Sequence, residues 1–450
     1  MYNKLIRHSG NRDLFQAVAL SAAALTGGHP FHLHVEGLRG TGKTTILRAA
    51  GQVLPPIVRV RGCAYNCHPD RPHCPEHRGL DAAAIERLGR ETVPCPFLEI
   101  SHSAKVGTVV GTIDLARLVD RDMPAAALLP GTVLQAHRGV VFIDEINRLA
   151  DTSPELADVL LDVMGTKPGR VQVEETGLPV VEMPVEVTVW AASNPDEEPG
   201  ALSQVRKQLA DRFDMLATMG RPSEYRAVMA ILAHREGGGA DGAAEGSFRP
   251  GDFRGVAVGD EVRQLLAALY IDFGLESLRA VEGLETAARL AALQAGRRRV
   301  LPADLIVAAP LVLGHRTDNV TLAGIMKQLQ AAGGLEDKRI ATDSARGEAG
   351  ERRTAEAAES GAAAARWRQW WAEFKRRLTA QRSGQRQASG GAGRGGGEDR
   401  QTGAATGAGS GTRGIADPSQ TVISSPPNAA VPLAELPAEK FVSGEDKPRG

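Results

Sequence analysis

Aromatic residues are scarce in this 450-residue chain, at 4%, and cysteines number only four, all between Cys63 and Cys95. So few cysteines exclude a disulfide-stapled scaffold, and their clustering in a reducing compartment points to metal or redox chemistry instead. No stretch approaches the roughly 18 continuous apolar residues of a spanning helix. The segment from Met1 to Arg12 also lacks the apolar region of a signal peptide, so no membrane span and a cytoplasmic location are expected. Charge of one sign is missing as well: Lys+Arg is 53 against Asp+Glu 54, a net −1. Such a chain has no global field to hold it on nucleic acid, and none is expected as a partner.

Hydrophobic residues at 42% and charged residues at 24% are ordinary for a globular protein, whereas Gly at 51 and Pro at 26 suggest that part of the chain is unfolded. At about 150 residues per domain, the length suggests two or three folded units. From residue 15 to 330, short apolar runs alternate with helix-period segments, the pattern of an α/β fold with a parallel sheet. Phe31 to Val35, Phe97 to Ile100, Val140 to Ile143 and Val185 to Ala192 are the strand candidates.

The expected organisation is a sheet domain over 1–236, a flexible joint over 237–259, a small all-α domain over 260–333 and a mostly disordered tail over 334–450. Leu278 to Gln294 and Pro302 to Leu313 are the clearest helical runs of the all-α part. Within the tail, Trp367, Trp370, Trp371, Phe374 and Leu378 follow helical spacing, which predicts an amphipathic helix near 362–380. It fits either docking on its own domain or binding a partner or surface.

Directly after the first strand candidate, Gly37-Leu38-Arg39-Gly40-Thr41-Gly42-Lys43-Thr44 matches G-x-x-x-x-G-K-[ST] and leads into a helical run from Thr45. Gly37, Gly40 and Gly42 let backbone N–H groups turn around a phosphate, with Thr41 and Thr45 alongside. Lys43 can reach the β- and γ-phosphates of ATP, and the Thr44 hydroxyl can ligate Mg²⁺. A chance glycine turn would not stand in this strand–loop–helix order. The apolar strand Val140 to Ile143 ends in Asp144 and Glu145. Asp144 suits the metal and Glu145 suits activation of a water, so hydrolysis is favoured over transfer of the phosphate to another molecule. Paired acids at a strand end are often only a solvated turn, a reading that the P-loop disfavours.

With these motifs the sequence resembles the AAA+ ATPases, in the branch of the magnesium chelatase I subunit and the MoxR proteins, over residues 15–330. Gly107 to Asp114, Leu129 to Leu134 and His137-Arg138-Gly139 look like the chelatase segment before its Walker B strand, which favours that branch over MoxR. The resemblance implies a P-loop AAA+ parallel-sheet domain, a small all-α lid and a homo-oligomeric ring, a hexamer. It makes Asn194 the sensor 1 residue that positions the lytic water. It makes Arg212 an arginine finger acting in trans, and Arg279 the sensor 2 residue that couples γ-phosphate occupancy to the lid angle. The run Gly169 to Met183 is similar to the branch's hairpin insertion.

The implied function is an Mg-ATP-hydrolysing motor that remodels a partner chelatase complex for metal insertion into a tetrapyrrole. The alternative is a MoxR-like chaperone working with a partner that has a von Willebrand A (VWA) domain. Because the chain has neither a D-x-S-x-S motif nor a recognisable porphyrin pocket, a separate VWA-domain or chelatase subunit is the expected partner.

The loop 61–96 carries Cys63, Cys67, Cys74 and Cys95. Four thiols suit tetrahedral Zn²⁺ or a [4Fe–4S] cluster, with His68, His73 or His77 as substitutes in a mixed zinc site. Reduced thiols or a redox switch remain the alternatives, since the spacing matches no standard zinc ribbon.

Overall fold

Short β-branched runs buried on both sides build the centre of the computed structural model, which describes residues 2–113, 128–174, 180–235 and 251–346. In chain order the first elements are α1 (Arg12–Thr26), β1 (Leu33–Gly37), α2 (Lys43–Gly51), β2 (Ile57–Val60), α3 (Ala82–Leu88), β3 (Arg90–Val93) and β4 (Phe97–Ile100). Then come α4 (Val106–Val110), β5 (Gly111–Ile113), β6 (Leu128–Pro130), α5 (Thr132–Gln135), β7 (Val140–Ile143), α6 (Ile146–Thr152) and α7 (Pro154–Val163). A hairpin of β8 (Gly169–Val173) and β9 (Val181–Val185) precedes β10 (Thr188–Ser193), α8 (Leu202–Val205), α9 (Lys207–Ala210), β11 (Met215–Met219) and α10 (Tyr225–Arg235). Four helices complete it: α11 (Asp260–Asp272), α12 (Leu278–Gln294), α13 (Pro302–Leu313) and α14 (Asn319–Arg346).

The sheet order is β11-β1-β10-β7-β4, with every pair parallel. Its interior strands β7 and β10 are buried at every position, while the edge strand β11 alternates. Two strand candidates, Phe97–Ile100 and Val140–Ile143, coincide with β4 and β7; the first candidate shifts two residues on, to Leu33–Gly37. The long candidate Val185 to Ala192 is divided, because β9 ends at Val185 and pairs in a hairpin, whereas β10 enters the sheet from Thr188. The sequence reading missed β11, which alternates buried and accessible residues at the sheet edge, and also the β2–β3 pair that closes the cysteine crossover.

Trp190 fills the centre of β10 with no exposure, and its indole N–H donates to Ser21 Oγ (2.8 Å), which in turn donates to Phe31 O (2.6 Å). That relay satisfies the one polar atom of a large buried ring. The face of the sheet that α1 covers shares one apolar cluster with Leu265, Leu284, Leu305 and Val312 of α11–α13. Just past α13, His315 Nε2 donates to Phe213 O (3.1 Å) and Arg316 Nη2 donates to the same oxygen (2.7 Å). The all-α part is thus packed against the sheet through a continuous core.

α14 carries the helical part on to Arg346, past the expected end at residue 333. Of the expected joint, residues 237–250 lie outside the described residues, and a 3-10 turn at Phe253–Gly255 with Phe253 buried follows them. The tail from 347, including the tryptophan-rich segment 362–380, also lies outside the described residues. Among the described residues no helix is long and apolar enough to cross a membrane.

Candidate functional site

Because the central strands are parallel, the loops that follow them gather at one edge of the sheet. The P-loop follows β1 there. Gly42 caps α2 with φ 97°, a conformation that side chains with a Cβ rarely adopt. A Cβ on Gly37 would meet Met219 O at 2.4 Å, so the loop starts where two backbones nearly touch. Thr41 Oγ1 donates to Leu38 O (2.8 Å) and stiffens the turn, while Thr45 is exposed on the first turn of α2. Lys43 is buried and donates from Nζ to Gly37 O (2.6 Å) and Leu38 O (2.9 Å). Burial lowers its pKa, against the pull of Asp144 and Glu197.

At the end of β7, Asp144 Oδ2 accepts from Thr44 Oγ1 at 3.0 Å. The two groups expected to share a magnesium ion are therefore adjacent, and the donor set, a hydroxyl and a carboxylate beside the α2 N-terminus, fits Mg²⁺ with a nucleotide phosphate. Glu145 sits in the left-handed region (φ 54°, ψ 49°), a conformation that costs a non-glycine residue about 1–2 kcal/mol. Its carboxylate lies 3.1 Å from Arg148, with both side chains about 40% exposed.

Asn194 follows β10, between the strands of the P-loop and Asp144. Its Oδ1 accepts from Asp196 N (3.2 Å). Asn147, buried on α6, donates to Asn194 O (3.3 Å) and Gly200 O (2.9 Å) and so fixes the 194–200 loop. Sequence reasoning missed Asn147; the available signal was an amide on the apolar face of the helix that follows the acidic pair.

The two arginines are elsewhere. Arg212, between α9 and β11, and Arg279, in the first turn of α12, line one cavity of about 340 Å³ together with His29, Phe31, Asp214 and Arg316. His29 and Phe31 precede β1 and Asp214 precedes β11, so the cavity lies at the amino edge of the sheet. The P-loop leaves β1 at the other end, and a five-residue strand spans about 16 Å.

Arg212 Nη1 and Arg279 Nη2 both donate to Gly165 O, at 3.3 and 3.2 Å. Burial and the neighbouring Arg279 charge lower the Arg212 pKa. Arg316, at the end of the run from Leu311 that resembles the family's lid, has its pKa lowered by burial, and it hydrogen-bonds backbone oxygens of Phe213, Val312, Asp211 and Asp214. Asp214 is held by Lys167 Nζ (2.8 Å) and the amide of His32 (2.7 Å). Burial works against its charge, yet Lys167 and His32 keep its pKa below the usual range.

The cysteine crossover brings together Cys63, Cys67, Cys74 and His77, all buried, with their ligand atoms within 4.8 Å of one another. Cys95 does not join them. Its thiol lies 3.8 Å from Pro96 O and Arg138 O, and burial pushes its pKa up to about 12. The expected set of four cysteines is not brought together: β3 carries the chain away before Cys95, and His77, one turn after Cys74, is the fourth member of the cluster.

Comparison with known proteins bears on the family. A family model for the AAA lid domain matches residues 263–331. The magnesium-chelatase 38 kDa subunit of Acidiphilium rubrum is 33% identical over 296 residues, covering 62% of this chain and 81% of that protein. Its counterpart in Cereibacter sphaeroides is 31% identical over 299 residues, covering 63% and 83%. A solved complex of magnesium chelatase subunits BchI and BchD is 26% identical, with TM-score 0.41, over 72% of this chain and 98% of that one. With its P-loop, acidic strand end and helical lid, this chain belongs to the magnesium chelatase I subunit family of AAA+ ATPases.

Proposed function

We propose that this ATPase is the motor of a metal chelatase. It would hydrolyse Mg-ATP at interfaces between its own copies and use the cycle to remodel a separate chelatase subunit that inserts a metal into a tetrapyrrole. The observation that carries the shared-interface reading is the placement of Arg212 and Arg279 at the edge of the sheet opposite Thr44 and Asp144. One chain cannot bring both sets to the same phosphate across the length of β1. A ring of copies, each presenting its amino edge to its neighbour's carboxyl edge, can do so.

In this arrangement Lys43 and the amides at the start of α2 bind the β- and γ-phosphates. Thr44 and Asp144 hold Mg²⁺, which supplies charge neutralisation on the phosphates. Glu145 takes the proton of the attacking water once it leaves Arg148, and Asn194 orients that water from the neighbouring strand. Arg212 of the adjacent copy stabilises the charge that develops on the phosphoryl group. Arg279 shares the Gly165 carbonyl with Arg212, so it acts beside the finger, on the neighbour's nucleotide. That differs from the expected role as an in-chain reporter of lid angle, and the continuous core between lid and sheet favours the change. The relatives reported above are chelatase subunits, which supports the chelatase reading over a MoxR-like chaperone with a VWA-domain partner.

The test is direct. Glu145→Gln should bind ATP and lose turnover by about 100-fold or more, and Lys43→Ala should fail to bind. Co-purification of a chelatase subunit in the presence of ATP supports the motor role; capture of a VWA-domain protein with no chelatase subunit supports the alternative.

A further inference from the structure

The crossover between α2 and β4 packs Cys63, Tyr65, Cys67 and Cys74 into the apolar cluster that contains Val141 and Ile143 of β7. Residues 61–80 carry Pro69, Pro72 and Pro75 and few apolar side chains, yet three thiols and an imidazole turn inward to one point there. All four cysteines of the chain are free thiols. Cys74 Sγ lies 3.1 Å from His77 Nδ1 and Cys67 Sγ lies 3.3 Å from His73 Nδ1. The amides of His73 and Cys74 both point at Cys67 Sγ, at 3.4 Å. Amides aimed at sulfur stabilise a thiolate and orient it toward a cation.

We propose that Cys63, Cys67, Cys74 and His77 bind one structural zinc ion. A tetrahedral ion with Zn–S near 2.3 Å and Zn–N near 2.0 Å sets neighbouring ligand atoms about 3.5–3.8 Å apart. The four atoms already lie within 4.8 Å of one another, so small rotations close the site. Three soft thiolates and one imidazole match zinc in both donor type and number. A [4Fe–4S] cluster fits less well. Its iron–sulfide cube would hold the ligand sulfurs further apart and normally needs a fourth cysteine, and Cys95 is occupied elsewhere. With four protein ligands the site is closed, as structural zinc sites are.

The consequence reaches the acidic strand. Tyr65 Oη donates to Leu128 O (2.8 Å) and Asn66 Nδ2 donates to Gln135 O (2.5 Å). The His73 and His137 rings pack against each other, tilted by 31° with centroids 3.8 Å apart, and Arg138 Nη1 donates to Val58 O (2.6 Å). Gln135, His137 and Arg138 precede β7, which leads directly to Asp144. The ion would brace the strand that carries Asp144 and Glu145 without touching nucleotide.

The inference stands apart from the chelatase reading and is tested on the full chain. Protein purified without metal-affinity steps or chelators, and protein refilled with zinc under reducing conditions, are assayed by elemental analysis. One zinc per chain is expected. Cys74→Ser and His77→Ala should lose it, whereas Cys95→Ser should retain it, and His77→Cys should retain it as a four-thiolate site. Cobalt-exchanged wild type and Cys95→Ser should show the thiolate charge-transfer band of a tetrahedral site. Folded wild-type protein that takes up no zinc after refilling, or that carries iron with acid-labile sulfide, overturns the proposal. Loss of zinc from Cys95→Ser with retention in Cys74→Ser overturns the ligand set.

Discussion

The two edges of the sheet solve opposite problems. At the carboxyl edge, glycines, hydroxyls and carboxylates crowd around the start of α2 and the end of β7, and each reactive group already has an internal partner. Lys43 rests on its own loop carbonyls, Thr44 on Asp144, and Glu145 on Arg148. At the amino edge, Arg212 and Arg279 converge on a single carbonyl, and Asp214 of the same cavity is already taken by Lys167. One edge is shaped for a polyphosphate, and the other carries the positive charge that the proposed interface would bring to it. The contrast supports the proposal that the unit of catalysis is a pair of chains.

The largest effect should come from the arginines. Arg212→Ala should lower turnover by about 1,000-fold or more, the usual worth of such a finger. Mixing separates the edges: subunits carrying Arg212→Ala or Arg279→Ala should each regain activity when assembled with Glu145→Gln subunits, because some interfaces then join an intact amino edge to an intact carboxyl edge. Arg212→Ala mixed with Arg279→Ala should stay inactive, since every amino edge is damaged. Activity in that last mixture would return Arg279 to its own chain's nucleotide and break the comparison.

The same chemical change at the two edges should also part activity from stability. Asp214→Asn removes one partner of a largely buried ion pair and should destabilise the fold by about 3 kcal/mol, the low end for such losses. Asp144→Asn should leave the melting temperature nearly unchanged while abolishing turnover. Denaturant titrations and ATPase assays on both variants decide it; equal stability losses would mean that the carboxyl edge is also structural.

How much of this could be read from sequence follows from the range of the interactions. The P-loop, the acidic pair and helices α12 and α13 are local patterns, and Gly37 to Thr44, Asp144, Glu145 and Leu278 to Gln294 were legible as they stand. Arg212 and Arg279 were legible as residues but not as neighbours, because α12 reaches the amino edge only through packing on the α1 face. In the cysteine loop, composition pointed to the cluster and to His77 as a substitute, but placed Cys95 in it. His77 is favoured over Cys95 by the course of the β2–β3 hairpin, which no spacing rule reports. Asn147 and β11 were missed for a related reason, since each takes its role from a partner element distant in the chain.

Acid should weaken the buried interior between these edges. His32 and His34 are buried and His315 is half-buried, and desolvation is the main cause that lowers each pKa to about 3. In the unfolded chain they titrate near 6.5, so below that pH the unfolded state binds protons that the native state does not. Their stabilising contribution is complete above about pH 6.5 and is lost as pH falls toward 3, at up to about 1.4 kcal/mol per pH unit for each histidine. Stability measured against pH should therefore slope steeply below about pH 6. His315→Gln should flatten the slope by one histidine's share, at most about 1.4 kcal/mol per pH unit, and an unchanged slope would mean that His315 does not stay neutral in the fold.

The smallest expected effect tests whether the internal partners of the carboxyl edge are only stand-ins. Arg148 and Glu145 form a half-exposed ion pair, and pairs of that kind contribute about 0–1 kcal/mol. Arg148→Ala should therefore barely move the melting temperature. Glu145 must leave Arg148 before it can take a proton from water, so removing the pair releases at most that same energy into the rate. Turnover should rise by no more than about fivefold, the equivalent of 1 kcal/mol, and the rise should shrink in high salt, where the pair is already screened. A fall of tenfold or more would instead place Arg148 on the phosphate itself, and the division of positive charge between the two edges would no longer hold.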